Sequence, residues 1–118
     1  MLNSICFFIS ERGDNPVKEF ITKSSWKEQT KIKAYLEELQ KQGHNLHRPM
    51  ADYLGEGIYE LRPSHNRIFY FFFLREKAIL LHAIRKKTDK IPQGDFELCI
   101  KRKEGVENLE NNIEDINL

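Results

Sequence analysis

The chain has 118 residues, with 19 Lys and Arg, 18 Asp and Glu, and a formal charge of +1; that length sets the expectation at one domain. The near-neutral total hides an asymmetry: every Lys and Arg lies in residues 1–103, against 13 acids, while residues 104–118 carry five acids and no base. A basic body of about +6 points to a polyanionic partner such as nucleic acid, and no apolar run approaches the length of a membrane span.

The N-terminus Met1-Leu2-Asn3-Ser4 has no basic segment followed by an apolar one, so a cytoplasmic protein is expected. In that reducing compartment Cys6 and Cys99 are read as packing residues.

In chain order, the apolar run Ile5 to Ser10 predicts a first strand, and Glu11-Arg12-Gly13-Asp14 a turn. Asn15-Pro16 is a helix start, with Asn as N-cap and Pro at the first helical position; Val17, Phe20 and Ile21 then share a face. Ser25 followed by Glu28 is a capping box that opens a second helix. Its buried stripe is Ile32, Tyr35, Leu36 and Leu39, and Gly43 is its stop. The residues from His44 to Pro49 read as a loop, Met50 to Leu54 as an extended lead-in, and Gly55-Glu56-Gly57 as a turn.

Three runs follow with β-branched and aromatic residues: 58–62, 67–75 and 78–87. Turn signals at Pro63-Ser64-His65-Asn66 and Arg75-Glu76-Lys77 make them an antiparallel meander. Both faces of 67–75 are apolar, Phe69, Phe71 and Phe73 on one, Ile68, Tyr70 and Phe72 on the other. This strand should therefore be central and covered on both sides. The two helices cover one face. The other is left to the C-terminal segment, a partner chain or both; a helix is expected near Gln93 to Lys103, with Phe96, Cys99 and Ile100 on its apolar side. Gly105 reads as a breaker, and Val106, Leu109, Ile113 and Ile116 recur at helical spacing. Residues 105–118 are thus set apart from a 1–104 domain as an acidic extension, either an amphipathic helix or a frayed tail. The fold class is α+β: a small antiparallel sheet, an N-terminal strand plus the meander, with two N-terminal helices on one face and a C-terminal helix.

Four histidines, His44, His47, His65 and His82, fit no zinc spacing, and no Gly-rich phosphate loop or nucleophile elbow is present. His82, among Leu80, Leu81 and Ile84, reads as a core or shelf histidine. What remains is a set of cations. Arg62 and Arg67 flank one turn, and Arg85, Lys86 and Lys87 end the last strand. In an up-and-down meander the start of the strand at 67 lies beside the end of the strand at 86, so these cations meet at one end of the sheet. They are either a solvated margin that blocks edge pairing or a site for a phosphate.

The segments Gly57-Ile58-Tyr59-Glu60-Leu61-Arg62, Asn66-Arg67-Ile68-Phe69-Tyr70 and Leu80 to Pro92 together resemble the RelE/ParE toxin superfamily, its HigB-like, phage-related branch in particular, over roughly residues 3–103. The resemblance implies a toxin of a type II toxin-antitoxin system that cleaves mRNA in the ribosomal A site of the 30S subunit, without metal or other cofactor. Its partner would be a cognate antitoxin, a helix-turn-helix protein through which alone the complex reaches operator DNA. No membrane is involved. In such chemistry the RNA 2′-hydroxyl attacks the adjacent phosphate and the 5′-oxygen leaves, which calls for cations, a base and an acid. Arg67 matches the family arginine that stabilises the phosphate in the transition state. Lys87, or its neighbour Lys86, matches the basic position that protonates the leaving oxygen, and Arg62 helps hold the backbone. Arg85, Lys90 and His65 are RNA contacts. Ile58 and Glu60 stand where RelE carries two lysines, and no Tyr follows Tyr70 to match its late tyrosine. The base stays open between a lysine of lowered pKa and His65, with Glu60 read as a salt-bridge partner of the arginines. The alternatives are a ParE-like inhibitor of DNA gyrase without nuclease chemistry, and an inactive member that only binds an antitoxin.

Overall fold

The computed structural model describes residues 1–86 and 90–118. Among them, β1 (Ser4–Ile9), α1 (Pro16–Lys23), α2 (Trp26–Gln42), β2 (Ala51–Gly55), β3 (Ile58–Leu61), β4 (Asn66–Phe73), β5 (Lys77–Arg85), α3 (Gln93–Glu107) and β6 (Asn112–Asp115) follow in order. The strands form one sheet, β2-β3-β4-β5-β1-β6.

Local signals fix the helix starts as the sequence predicts. The Asn15 side chain accepts from the Lys18 N–H with Pro16 at the first helical position. Ser25 and Glu28 close a reciprocal capping box, each bond 3.2 Å long. Gly43 ends α2 at φ 55°, a backbone conformation that glycine adopts without a Cβ penalty.

The central strand is covered on both sides. On one face Ile68 and Tyr70 pack with Ile5, Phe7, Ala78 and Leu80 against Val17 of α1 and Ile32, Leu36 and Leu39 of α2. On the other, Phe69 and Phe71 pack with Cys6, Phe8, Ile58, Ile79 and Leu81 against Cys99 and Val106 of α3. Alternation along β1 and β4 thus feeds two cores at once. Phe69, Tyr70 and Phe71 are at most 1% exposed, and each such burial contributes on the order of 2–3 kcal/mol.

Four of the five strand pairings are antiparallel, but β1 runs parallel to β5. No hairpin joins β1 to β5, so nothing imposes the antiparallel direction there. The lead-in at 50–54 is a full edge strand, β2, paired with β3.

The extension from residue 105, expected as an amphipathic helix or a frayed tail, is corrected, for it is neither. The helix α3 runs through Gly105 to Glu107, and residues 112–115 are strand β6, antiparallel to β1. The expected boundary at 104/105 therefore falls inside a helix. Gly105 does not act as a breaker, and it leaves room for the Asn111 side chain against the helix. A Cβ there would lie 1.9 Å from Asn111 Oδ1, and the Gly105 carbonyl accepts from the N–H groups of Glu110 and Asn111. That turn reverses the chain and delivers β6 to the free edge of β1. Ile113 joins the α3-side core, and Ile116 and Leu118 the opposite one.

Candidate active site

The site is built on the end of the sheet where β3 stops and β4 starts. Leu61 pairs with Ile68, so Arg62 and Arg67 face each other one step further on. Arg67 pairs in turn with Ile84 of β5, and Asn66 with Arg85. The Lys86 N–H donates to the His65 carbonyl at 2.6 Å. Antiparallel pairing thus brings Arg62, His65, Arg67, Arg85 and Lys86 to one sheet end, as the turn positions predict. Lys90 is exposed, just before α3. Lys87 lies outside the described residues.

The sheet divides these residues between its two faces. Arg62 and Arg67 lie on the α3 face around Glu60. The Arg62 Nε donates to Glu60 Oε2 at 2.9 Å, and Arg67 Nε stands 3.8 Å from Glu60 Oε1. A second carboxylate, Asp52, lies 3.6 Å from Arg62 and 2.8 Å from Arg48. Those charges hold Asp52 below its ordinary range, the Arg48 hydrogen bond first. Arg85 turns instead to the α2 face, where its guanidinium meets Glu28 at 2.9 Å. Glu28 also accepts from Asn66 Nδ2 at 3.1 Å. The Asn66 bond, then the Ser25 bonds, hold the Glu28 carboxyl down at about 2.

A bulge explains the split. Phe69 pairs with His82 but Tyr70 pairs with Leu80, so Leu81 is an extra residue in β5. Beyond it the alternation of β5 is inverted, sending His82 to the α3 face and Arg85 to the α2 face. Nothing in the local sequence announces that shift.

Arg67 is the most enclosed cation of the set, its side chain 12% exposed. Its guanidinium donates to the carbonyls of Ser64 at 2.9 Å and Asn66 at 2.8 Å. Burial pushes its pKa down, Glu60 pushes it back up, and Arg62 lowers it further. A guanidinium nonetheless stays charged in water. Arg62 is one-third exposed, so its fork reaches solvent. Two guanidiniums on one face, rigidly held and partly desolvated, can bind a phosphodiester more strongly than solvated charges can. Glu60 is the salt-bridge partner of both arginines, and Ile58 beside it is fully buried.

His82 is neither solvated nor a plain core residue. Its Nε2 lies 2.7 Å from Asp95 Oδ1, in the first turn of α3, and its ring stacks on Phe69 at 6.0 Å and 24°. Asp95 carried no signal in the sequence, because its partner is set by how α3 docks.

Residues 19–104 match the family described as "Phage derived protein Gp49-like (DUF891)". The chain belongs to the Gp49-like family. The matched span takes in every site residue named above; β1 and β6 lie outside it. No curated protein matches the chain. Among the described residues no helix is long and apolar enough to cross a membrane.

Proposed function

We propose that this Gp49-like protein is the toxin of a type II toxin-antitoxin system, of the RelE/HigB-like kind, acting as a ribosome-dependent mRNA endonuclease in the cytoplasm. The observation that carries the reading is the Arg62–Glu60–Arg67 cluster, two guanidiniums about one buried carboxylate at the end of the central strand. Family membership supports it.

In this reading the 2′-hydroxyl of one nucleotide attacks the adjacent phosphorus, and the P–O5′ bond breaks. Arg67 stabilises the charge that develops on the phosphoryl oxygens, where a fixed donor in a partly dry site counts most. Arg62, with its more exposed fork, holds the flanking backbone. The leaving oxygen takes its proton from Lys86 or Lys87. Arg85, Lys90 and His65 contact RNA on the outer side of the sheet end. The partner is an antitoxin of helix-turn-helix type that covers these cations and carries the complex to its operator.

Expression without an antitoxin tests the proposal. Wild type should arrest growth and translation, and Arg67→Ala, folded by thermal melt, should do neither. Growth arrest with intact translation and loss of DNA supercoiling would replace the proposal with gyrase inhibition. Growth and translation unchanged by wild type would leave only an antitoxin-binding protein.

A further inference from the structure

The proposed cleavage needs a group to take the 2′-hydroxyl proton, and the arginine cluster supplies none. Besides a lysine of this sheet end, the groups to weigh for that proton are Glu60, His65 and His82. Glu60 is tied to both arginines by its two oxygens, which occupies it as their anchor. His65 sits in an exposed turn, and among the described residues no contact fixes its ring for the task.

His82 is placed differently. An ionised aspartate only accepts hydrogen bonds, so the 2.7 Å contact with Asp95 is donated by His82 Nε2–H. The lone pair then lies on Nδ1. A carboxylate that fixes the tautomer and orientation of an imidazole whose other nitrogen takes a proton is the arrangement hydrolases use. Phe69, its cross-strand partner, stacks beside the ring. The side chain is 16% exposed, enclosed but reachable.

Register brings this pair to the phosphate site. Arg67 pairs with Ile84, so His82 is its diagonal neighbour on the same face, at a typical spacing of about 7–8 Å. That distance suits a cation on the phosphate and a base on the 2′-hydroxyl next to it. The Leu81 bulge is what turns His82 to this face. Bulges commonly re-aim a side chain beside an active site.

We infer that His82, oriented by Asp95, is the general base of the proposed RNA cleavage; the inference rests on the nuclease reading. His82 Nδ1 takes the 2′-hydroxyl proton as the 2′-oxygen bonds to the adjacent phosphorus. The P–O5′ bond breaks, and O5′ leaves with a proton from a lysine ammonium at the sheet end. The products are a 2′,3′-cyclic phosphate and a 5′-hydroxyl. Proton exchange with water restores imidazole and ammonium, so no oxidant or other reactant is consumed.

The test is single-turnover cleavage of a ribosome-bound mRNA by purified wild type, Arg67→Ala, His82→Gln, His82→Ala and Asp95→Asn, with fold checked by thermal melt and ribosome binding measured in parallel. His82→Gln should lose about 10²–10⁴-fold in cleavage rate while still binding the ribosome. Added imidazole should restore part of the rate of His82→Ala, which a purely structural role would not allow. Asp95→Asn, at a partly exposed position, should lose at least about tenfold through the wrong tautomer; it decides the matter if the His82 variants fail to fold. Wild type active and Arg67→Ala inactive, with folded His82→Gln or Asp95→Asn within about threefold of wild type, would overturn the inference and leave the nuclease reading standing. A wild type that cleaves no RNA overturns both.

Discussion

Replacement of Glu60 tests whether one carboxylate holds the two arginines in place. Its side chain is 9% exposed, with Arg62 at 2.9 Å and Arg67 at 3.8 Å. The first contact is a charge-assisted hydrogen bond, on the order of 1.5–3 kcal/mol. The second, at an effective dielectric of about 20, is an attraction of roughly 4 kcal/mol before desolvation. Desolvation of the enclosed Arg67 offsets most of that. Glu60→Ala also leaves Arg62 and Arg67 facing each other without an anion, and like charges directly opposite repel. The expected cost is about 2–4 kcal/mol, intermediate between an exposed pair and a fully buried one. Glu60→Gln keeps the shape and a neutral hydrogen bond, so about 1–2 kcal/mol is expected. For a domain of this size about 3 kcal/mol lowers the melting temperature by roughly 10 °C. The assay is urea and thermal unfolding of wild type, Glu60→Ala, Arg62→Ala and the double variant. A coupling of about 1–2 kcal/mol between the two sites is expected. Glu60→Ala melting within about 1 °C of wild type, with no coupling to Arg62, would refute the reasoning.

Other consequences follow from the same contacts. Glu28, whose folded pKa is depressed from 4.5 to about 2, stabilises fully above pH 4.5, and that contribution is lost as pH falls toward 2; melts of Glu28→Gln should therefore differ from wild type at pH 5 and converge with it near pH 2, and parallel curves across that range would contradict the assignment. Burial pushes the Cys6 and Cys99 thiols up to about 11 and about 12, so both should resist a disulfide reagent at pH 8 in the native protein and react at once in denaturant; the stability these neutral thiols confer is present below pH 9.0 and is lost as pH rises through those values. Truncation after residue 111 removes β6 with Ile113, Ile116 and Leu118 and should cost about 2–4 kcal/mol of unfolding free energy, whereas an unchanged melt would mean the strand adds nothing to the body.

The meander was legible because period-two alternation and turn residues are local, and the caps at Asn15 and Ser25 are local as well. The double covering of β4 could be read from apolar residues on both faces. The strand β6 could not. Ile113 and Ile116 are three apart, a helical spacing, and the edge they join belongs to β1, at the other end of the chain. The site divides along the same line. Arg62, Arg67 and Glu60 follow from strand register and their pairing was foreseeable. The turning of Arg85 toward Glu28, and of His82 toward Asp95, depends on one extra residue at Leu81 and on the docking of two helices. Neither leaves a mark on neighbouring residues. Thus the arginine cluster about Glu60 was visible in the sequence, while the His82–Asp95 pair required tertiary structure.

The central claim is that Arg67 sits in a site that cleaves mRNA on the ribosome. Mapping mRNA 5′ ends after brief expression of wild type and Arg67→Ala tests it most directly. The account predicts new 5′-hydroxyl ends within translated reading frames for wild type and none for Arg67→Ala. New ends of equal abundance with both proteins, or none with a wild type that still arrests growth, would contradict it.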